Sequence, residues 1–110
     1  MARSIKLIVY GVRDLEKARV FYTTFLGTEP YADSPYYVGY RVDDQEIGLD
    51  PHSTAGPIAY TDVSDIKSSL QAMVEAGGEV LQDVREVVGG LLIAQVKDGD
   101  GNVVGLRERS

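Results

Sequence analysis

The sequence predicts an α+β fold built from two βαβββ modules in one chain. Two observations carry this. Val12-Arg13-Asp14-Leu15 returns as Val63-Ser64-Asp65-Ile66, and Gly27 returns as Gly78, both at an offset of 51 residues. Self-similarity of that length marks two copies of one structural unit. Within each copy a β-branched apolar run is followed by one helical pattern and then by three more strand-like runs. Ile47-Gly48-Leu49 returns as Val104-Gly105-Leu106 at an offset of 57, so the second copy carries six extra residues (57 less 51) in its strands and turns. The modules are expected at 4–50 and 58–108 of a single domain spanning 1–110. A four-stranded sheet with one helix leaves its other face bare. Two such sheets are expected to form a cup-shaped mixed sheet, with a ligand inside it.

Ser4–Val12 (SIKLIVYGV) is short and apolar on both faces, as a buried strand is. From Asp14 the period changes. Leu15, Ala18, Phe21, Tyr22, Phe25 and Leu26 recur at three and four residues, which predicts one buried face of an amphipathic helix. Asp14 and Glu16 suit its first turn, and Gly27 suits its end. A short strand is expected near Glu29–Ala32, interrupted by Pro30 and Pro35, and a clear one over Tyr36–Asp43. A turn at Asp43-Asp44-Gln45 leads to a returning strand, Glu46–Asp50. Residues 51–57 (PHSTAGP) form a connector. The pattern then restarts with a strand at Ile58–Val63. Ser64 is the expected N-cap of a helix carrying Ile66, Leu70, Met73 and Val74 on one face, closed by Gly77-Gly78. Strands are expected over Val80–Val88, Leu91–Lys97 and Val103–Arg107. Gly89-Gly90 turns between the first two, and Asp98-Gly-Asp-Gly-Asn102 before the last.

The chain has 110 residues, enough for one cored domain. It has no cysteine, which excludes disulfides and thiolate metal sites. No apolar run approaches the ~20 residues of a membrane span and no leader-like segment opens the sequence, so a soluble, cytoplasmic protein is expected. Seventeen acidic and eleven basic residues give a net charge of −6, which disfavours nucleic acid and favours a cationic ligand.

Residues 12–27, V-x-D-L-x-K-A-x-x-F-Y-x-x-x-L-G, resemble the opening of the vicinal oxygen chelate superfamily, the group of glyoxalases, extradiol dioxygenases and bleomycin-resistance proteins. Asp98–Leu106, D-x-D-G-N-x-x-x-L, resembles its closing motif, so the likeness spans nearly the whole chain. It implies the cup-shaped glyoxalase/bleomycin-resistance fold. It also implies metal ligands on the cup strands of the metal-dependent members. Those positions fall here on Leu7, Ile58 and Gly105, with Gly48 as the first-half equivalent of the third. None offers a donor, and divalent metals need three or four converging N or O ligands. No metal and no other cofactor is therefore expected.

Seven of the nine aromatic residues are tyrosines, which offer an apolar face and one polar tip. Tyr36, Tyr40 and Tyr60 are candidate ligand contacts. Alternation puts Tyr36, Val38 and Tyr40 on one face and Tyr37, Gly39 and Arg41 on the other, without saying which lines the cup. The inward or outward direction of Arg41, Glu46 and Asp50 is equally open. Gly48 and Gly105 would make room for a ligand, and His52 in the connector could contact one. The run Asp98–Asn102 lacks the twelfth-position Glu of a calcium loop and reads as a turn.

The expected function is a metal-independent binding protein for a small, partly aromatic, cationic molecule, with no catalytic residue. The resemblance to bleomycin-resistance proteins implies a homodimer. A metal-dependent lyase or dioxygenase, or a metal-free enzyme using His52, a tyrosine or a carboxylate, are the alternatives.

Overall fold

The computed structural model describes residues 2–109. Two compact units emerge, Lys6–Ile58 and the remainder of the described chain. Each carries one four-stranded sheet and one helix.

In the first unit the order is β1 (Ile5–Gly11), α1 (Leu15–Leu26), β2 (Ala32–Ser34), β3 (Tyr37–Val42) and β4 (Gln45–Asp50). The strands lie in the order β2-β3-β4-β1. β3 pairs antiparallel with β2 and β4, while β1 and β4 run parallel, so the sheet is mixed. Asp14 caps α1, its carboxylate accepting the Lys17 N–H at 3.1 Å, and Gly27 ends it with φ 71°. The core holds Val38, Tyr40 and Leu49 from the sheet, packed against Leu15, Ala18, Tyr22 and Leu26 of α1.

The second unit repeats the plan: β5 (Ile58–Asp62), α2 (Ile66–Glu75), β6 (Glu79–Val87), β7 (Leu91–Lys97) and β8 (Val103–Glu108), ordered β5-β8-β7-β6. β5 and β8 are parallel, and β6, β7 and β8 antiparallel. Ile66 and Leu70 of α2 seat in a core of Val63, Ala94, Val96 and Leu106. The helix ends in a Schellman motif: the Gly77 N–H donates to Val74 O and the Gly78 N–H to Met73 O, with Gly77 at φ 107°.

Several local expectations need correction. The N-cap of α2 is Asp65, whose carboxylate accepts the Ser68 N–H at 3.2 Å; Ser64 stands one residue outside. The strand expected at Glu29–Ala32 lies at Ala32–Ser34, because Pro30 has no N–H to give a ladder. Tyr36 belongs to the turn before β3 rather than to the strand. Phe21 and Phe25 are not on the buried face of α1. The Leu15-Ala18-Tyr22-Leu26 stripe takes the sheet side, and the two rings lie roughly a quarter turn away, 64% and 69% exposed. Among the described residues, no helix is long and apolar enough to cross a membrane.

Candidate functional site

Strand register and core membership together fix the face of each side chain. Val38, Tyr40 and Leu49 point toward α1, so their neighbours along the strands point away from it. The helix-distal face of the first sheet therefore carries Leu7, Glu46 and Arg41 in one row and Val9, Gly48 and Gly39 in the next. On the second sheet Leu106 and Ala94 meet α2, which leaves Tyr60, Gly105 and Gln95 in one distal row and Asp62, Arg107 and Ile93 in the next.

The expected ligand contacts separate accordingly. Leu7 and Gly48 share the distal face of the first sheet. Tyr60 and Gly105 share that of the second, and Ile58, two residues from Tyr60, is buried on the same side of β5. Tyr40 does not belong with them. Its ring is wholly buried under α1, and its hydroxyl, 2.9 Å from Thr23 Oγ1, donates to Arg19 O at 2.9 Å. Helix docking decides this, since Val38 and Tyr40 supply the apolar bulk that α1 covers. Tyr36 is 71% exposed in its turn. His52 is exposed in the connector, its backbone N–H bonded to Asp50 Oδ1 at 2.8 Å.

The two glycines do not leave open space. A Cβ on Gly48 would collide with the Tyr37 ring and hydroxyl, and a Cβ on Gly105 with the Tyr60 ring. Each distal face thus packs a tyrosine over a glycine at matching places in the repeat. Tyr60 is held further by Gln95, whose Nε2 donates to its hydroxyl at 2.9 Å. Beside it, Arg107 is buried and paired with Asp62, Nε to Oδ1 at 2.6 Å and Nη2 to Oδ2 at 3.2 Å. A bidentate pair of this kind satisfies an otherwise costly buried charge.

The first distal face holds a second constellation. The Tyr31 ring lies over Gly39, whose Cβ would stand 3.1 Å from it. Tyr31 donates its hydroxyl proton to Glu46 Oε1 at 2.8 Å. Arg41 places its guanidinium 4.2 Å from the Tyr31 ring centroid and 3.9 Å from Glu46 Oε1. The sequence alone leaves the direction of Arg41 and Glu46 open and does not single out Tyr31. The cross-strand partnership of Arg41 with Glu46 across the Asp43-Asp44 turn was the available signal.

Among the described residues, two loop carboxyls, Asp44 beside Lys6 and Asp98, are held below the ordinary aspartate value. The Asn102 amide, with backbone N–H groups of Asn102 and Asp100, holds the Asp98 carboxyl below the ordinary aspartate value. These bonds turn its oxygens inward to close a turn, as expected of Asp98–Asn102. Tyr22 is pushed up by burial and by Tyr10 nearby, on the helix side of the sheet.

A family model for the glyoxalase/bleomycin resistance protein/dioxygenase superfamily matches residues 4–106. The chain belongs to that superfamily. No protein of curated function matches it in sequence. Among solved structures it is similar to a hypothetical protein from Bacillus halodurans C-125, with TM-score 0.80, 16% identity, and 100% of this chain and 96% of that one covered. It is similar to methylmalonyl-CoA epimerase from Mycobacterium tuberculosis at TM-score 0.75 and 19% identity, covering 100% and 93%. A superfamily member from Vibrio splendidus 12B01 aligns at TM-score 0.73 and 18% identity, covering 97% and 98%. Identities this low establish the shared fold alone.

The divalent ion of the superfamily's metal-dependent members does not fit the residues present. Leu7, Gly48, Ile58 and Gly105 stand where its ligands are implied, and tyrosine rings fill the space beside the two glycines. Among the described residues, no group of three or more His, Asp or Glu side chains converges on one point.

Proposed function

We propose that this chain is a metal-independent binding protein that holds a small, partly aromatic cation against the helix-distal face of a module, without chemistry. The observation that carries the reading is the replacement of the implied ligand positions by Leu7, Gly48, Ile58 and Gly105, with Tyr37 and Tyr60 packed over the glycines. Tyrosine faces and hydroxyls beside a carboxylate suit an organic cation better than they suit a metal. The net charge of −6 favours the same class of ligand. A cytoplasmic homodimer completes the proposal.

Thermal unfolding in the presence of Zn²⁺, Ni²⁺, Mn²⁺ and Fe²⁺, with metal analysis of the purified protein, tests the metal half. A true site at about a thousand times its Kd would add roughly 4 kcal/mol. Stoichiometric metal with such a shift would overturn the proposal. A screen of cationic aromatic compounds by quenching of tyrosine fluorescence tests the ligand half. The seven tyrosines and absence of tryptophan make that signal clean. Saturable quenching by at least one compound is the expected result.

A further inference from the structure

We infer that the Tyr31 ring and the Glu46 carboxylate form a receptor for a guanidinium or alkylammonium group, and that the Arg41 side chain occupies it in the absence of ligand. The inference rests on the reading above in taking the protein to bind a small organic cation. It adds the residues and the headgroup.

The receptor half is built and fixed. Tyr31 is held at three points: its N–H donates to Gly39 O at 2.9 Å, its hydroxyl donates to Glu46 Oε1 at 2.8 Å, and its ring lies on the bare backbone of Gly39. Glu46 shows 11% of its side chain to solvent. Tyr37 adds a second aromatic wall, its ring also approaching the Cβ position of Gly39 at 3.1 Å.

The cation half is loosely held. The Arg41 guanidinium sits 4.2 Å from the Tyr31 centroid, well inside the ~6 Å range of a cation–π contact. Its nearest approach to the carboxylate is 3.9 Å, too long for a hydrogen bond, and 52% of its side chain is exposed. An ion pair across such a gap, with its cation half exposed to water, contributes little net stability. A flexible side chain can leave it readily, and a ligand cation reaching hydrogen-bond distance of Glu46 gains a charge-assisted bond that Arg41 does not make. Arg41 thus marks the chemistry that the seat accepts: a flat or compact cation, face-on to one ring, beside one carboxylate.

The test removes the internal cation and supplies an external one. Arg41→Gln is titrated with methylguanidinium, read by tyrosine fluorescence and by Tm, with urea as the neutral control of the same shape. R41Q should bind methylguanidinium at least tenfold more tightly than the unmodified chain, with a saturable rise in Tm, and urea should give neither. Adding Glu46→Gln to R41Q should abolish the gain. Should that double variant not fold, Tyr31→Leu in R41Q keeps the carboxylate and should lower the affinity at least threefold. No gain in R41Q, or an equal gain after loss of Glu46 or of the Tyr31 ring, would overturn the inference. Its failure stays separate from that of the binding-protein reading. A screening hit whose affinity is unchanged by E46Q overturns the receptor and leaves that reading intact. Rescue of R41Q by methylguanidinium alongside an empty screen supports the receptor while removing support from the wider reading.

Discussion

Tyr60 and Gly105 form one unit although they sit on different strands. The ring occupies the space where any other residue at 105 would put its Cβ, and Gln95 holds the hydroxyl. The ring is buried and cannot swing aside. Gly105→Ala should therefore cost about 1–3 kcal/mol through overpacking. In a Tyr60→Ala background the same change should be nearly neutral, because its collision partner is gone. Urea denaturation of the four proteins gives the coupling directly. Equal costs in both backgrounds would show that Gly105 is needed for some reason other than the ring. Asp98 is held by hydrogen bonds rather than by packing. Its folded-state carboxyl titrates below an ordinary aspartate, held there first by the Asn102 side chain. A depressed carboxyl contributes stability that is present above its unfolded value and lost as pH falls through the folded one. An NMR titration should place its inflection below that of the same residue in Asn102→Ala, and coincident curves would remove the assigned cause.

The caps show how local chemistry chooses between adjacent candidates. Ser64 and Asp65 are both good N-cap residues, but the Asp65 carboxylate takes the Ser68 N–H. Asp65→Ala should cost about 0.5–2 kcal/mol, while Ser64→Ala, at an exposed position outside the helix, should stay within roughly ±0.5 kcal/mol. Chemical denaturation of the two variants decides it, and a reversed order would return the cap to Ser64. The repeat, both helices and seven of the eight strands were legible because period and punctuation are local: 3.6 in Leu15-Ala18-Tyr22-Leu26, 2 in the β3 run, Gly27 and Gly77 at the stops. Period 2 alone says which residues share a face and never which face is covered. The side of Tyr40 therefore became visible only once α1 lay on it. Phe21 and Phe25 misled for the related reason that helical spacing alone gives a broad apolar arc. Tyr31 was hidden because it lies outside any strand and reaches Glu46 only through tertiary placement.

At the scale of the whole molecule, the homodimer proposed above would use the exposed face of α1. Val20, Phe21 and Phe25 stand 68%, 64% and 69% exposed on α1, a helix that buries no residue of its own completely. Two aromatic rings of ~150–250 Å² each at that exposure leave about 250 Å² open per protomer, a substantial share of the ~800 Å² per partner of a standard interface. The molecule carries −6 overall, yet residues 13–29 are neutral, Arg13, Lys17 and Arg19 balancing Asp14, Glu16 and Glu29. Self-association through this helix avoids the repulsion that the rest of the surface would impose. A two-fold axis near Thr23 would set each Phe21 against the partner's Phe25, as an isologous contact requires. The double substitution Phe21→Ser, Phe25→Ser should leave the fold within about 1 kcal/mol, since neither ring is in the core. It should also convert a dimer into a monomer in sedimentation equilibrium. A dimer that survives both changes would move the interface off α1, and an unmodified chain that sediments as a monomer at millimolar concentration would remove the dimer itself.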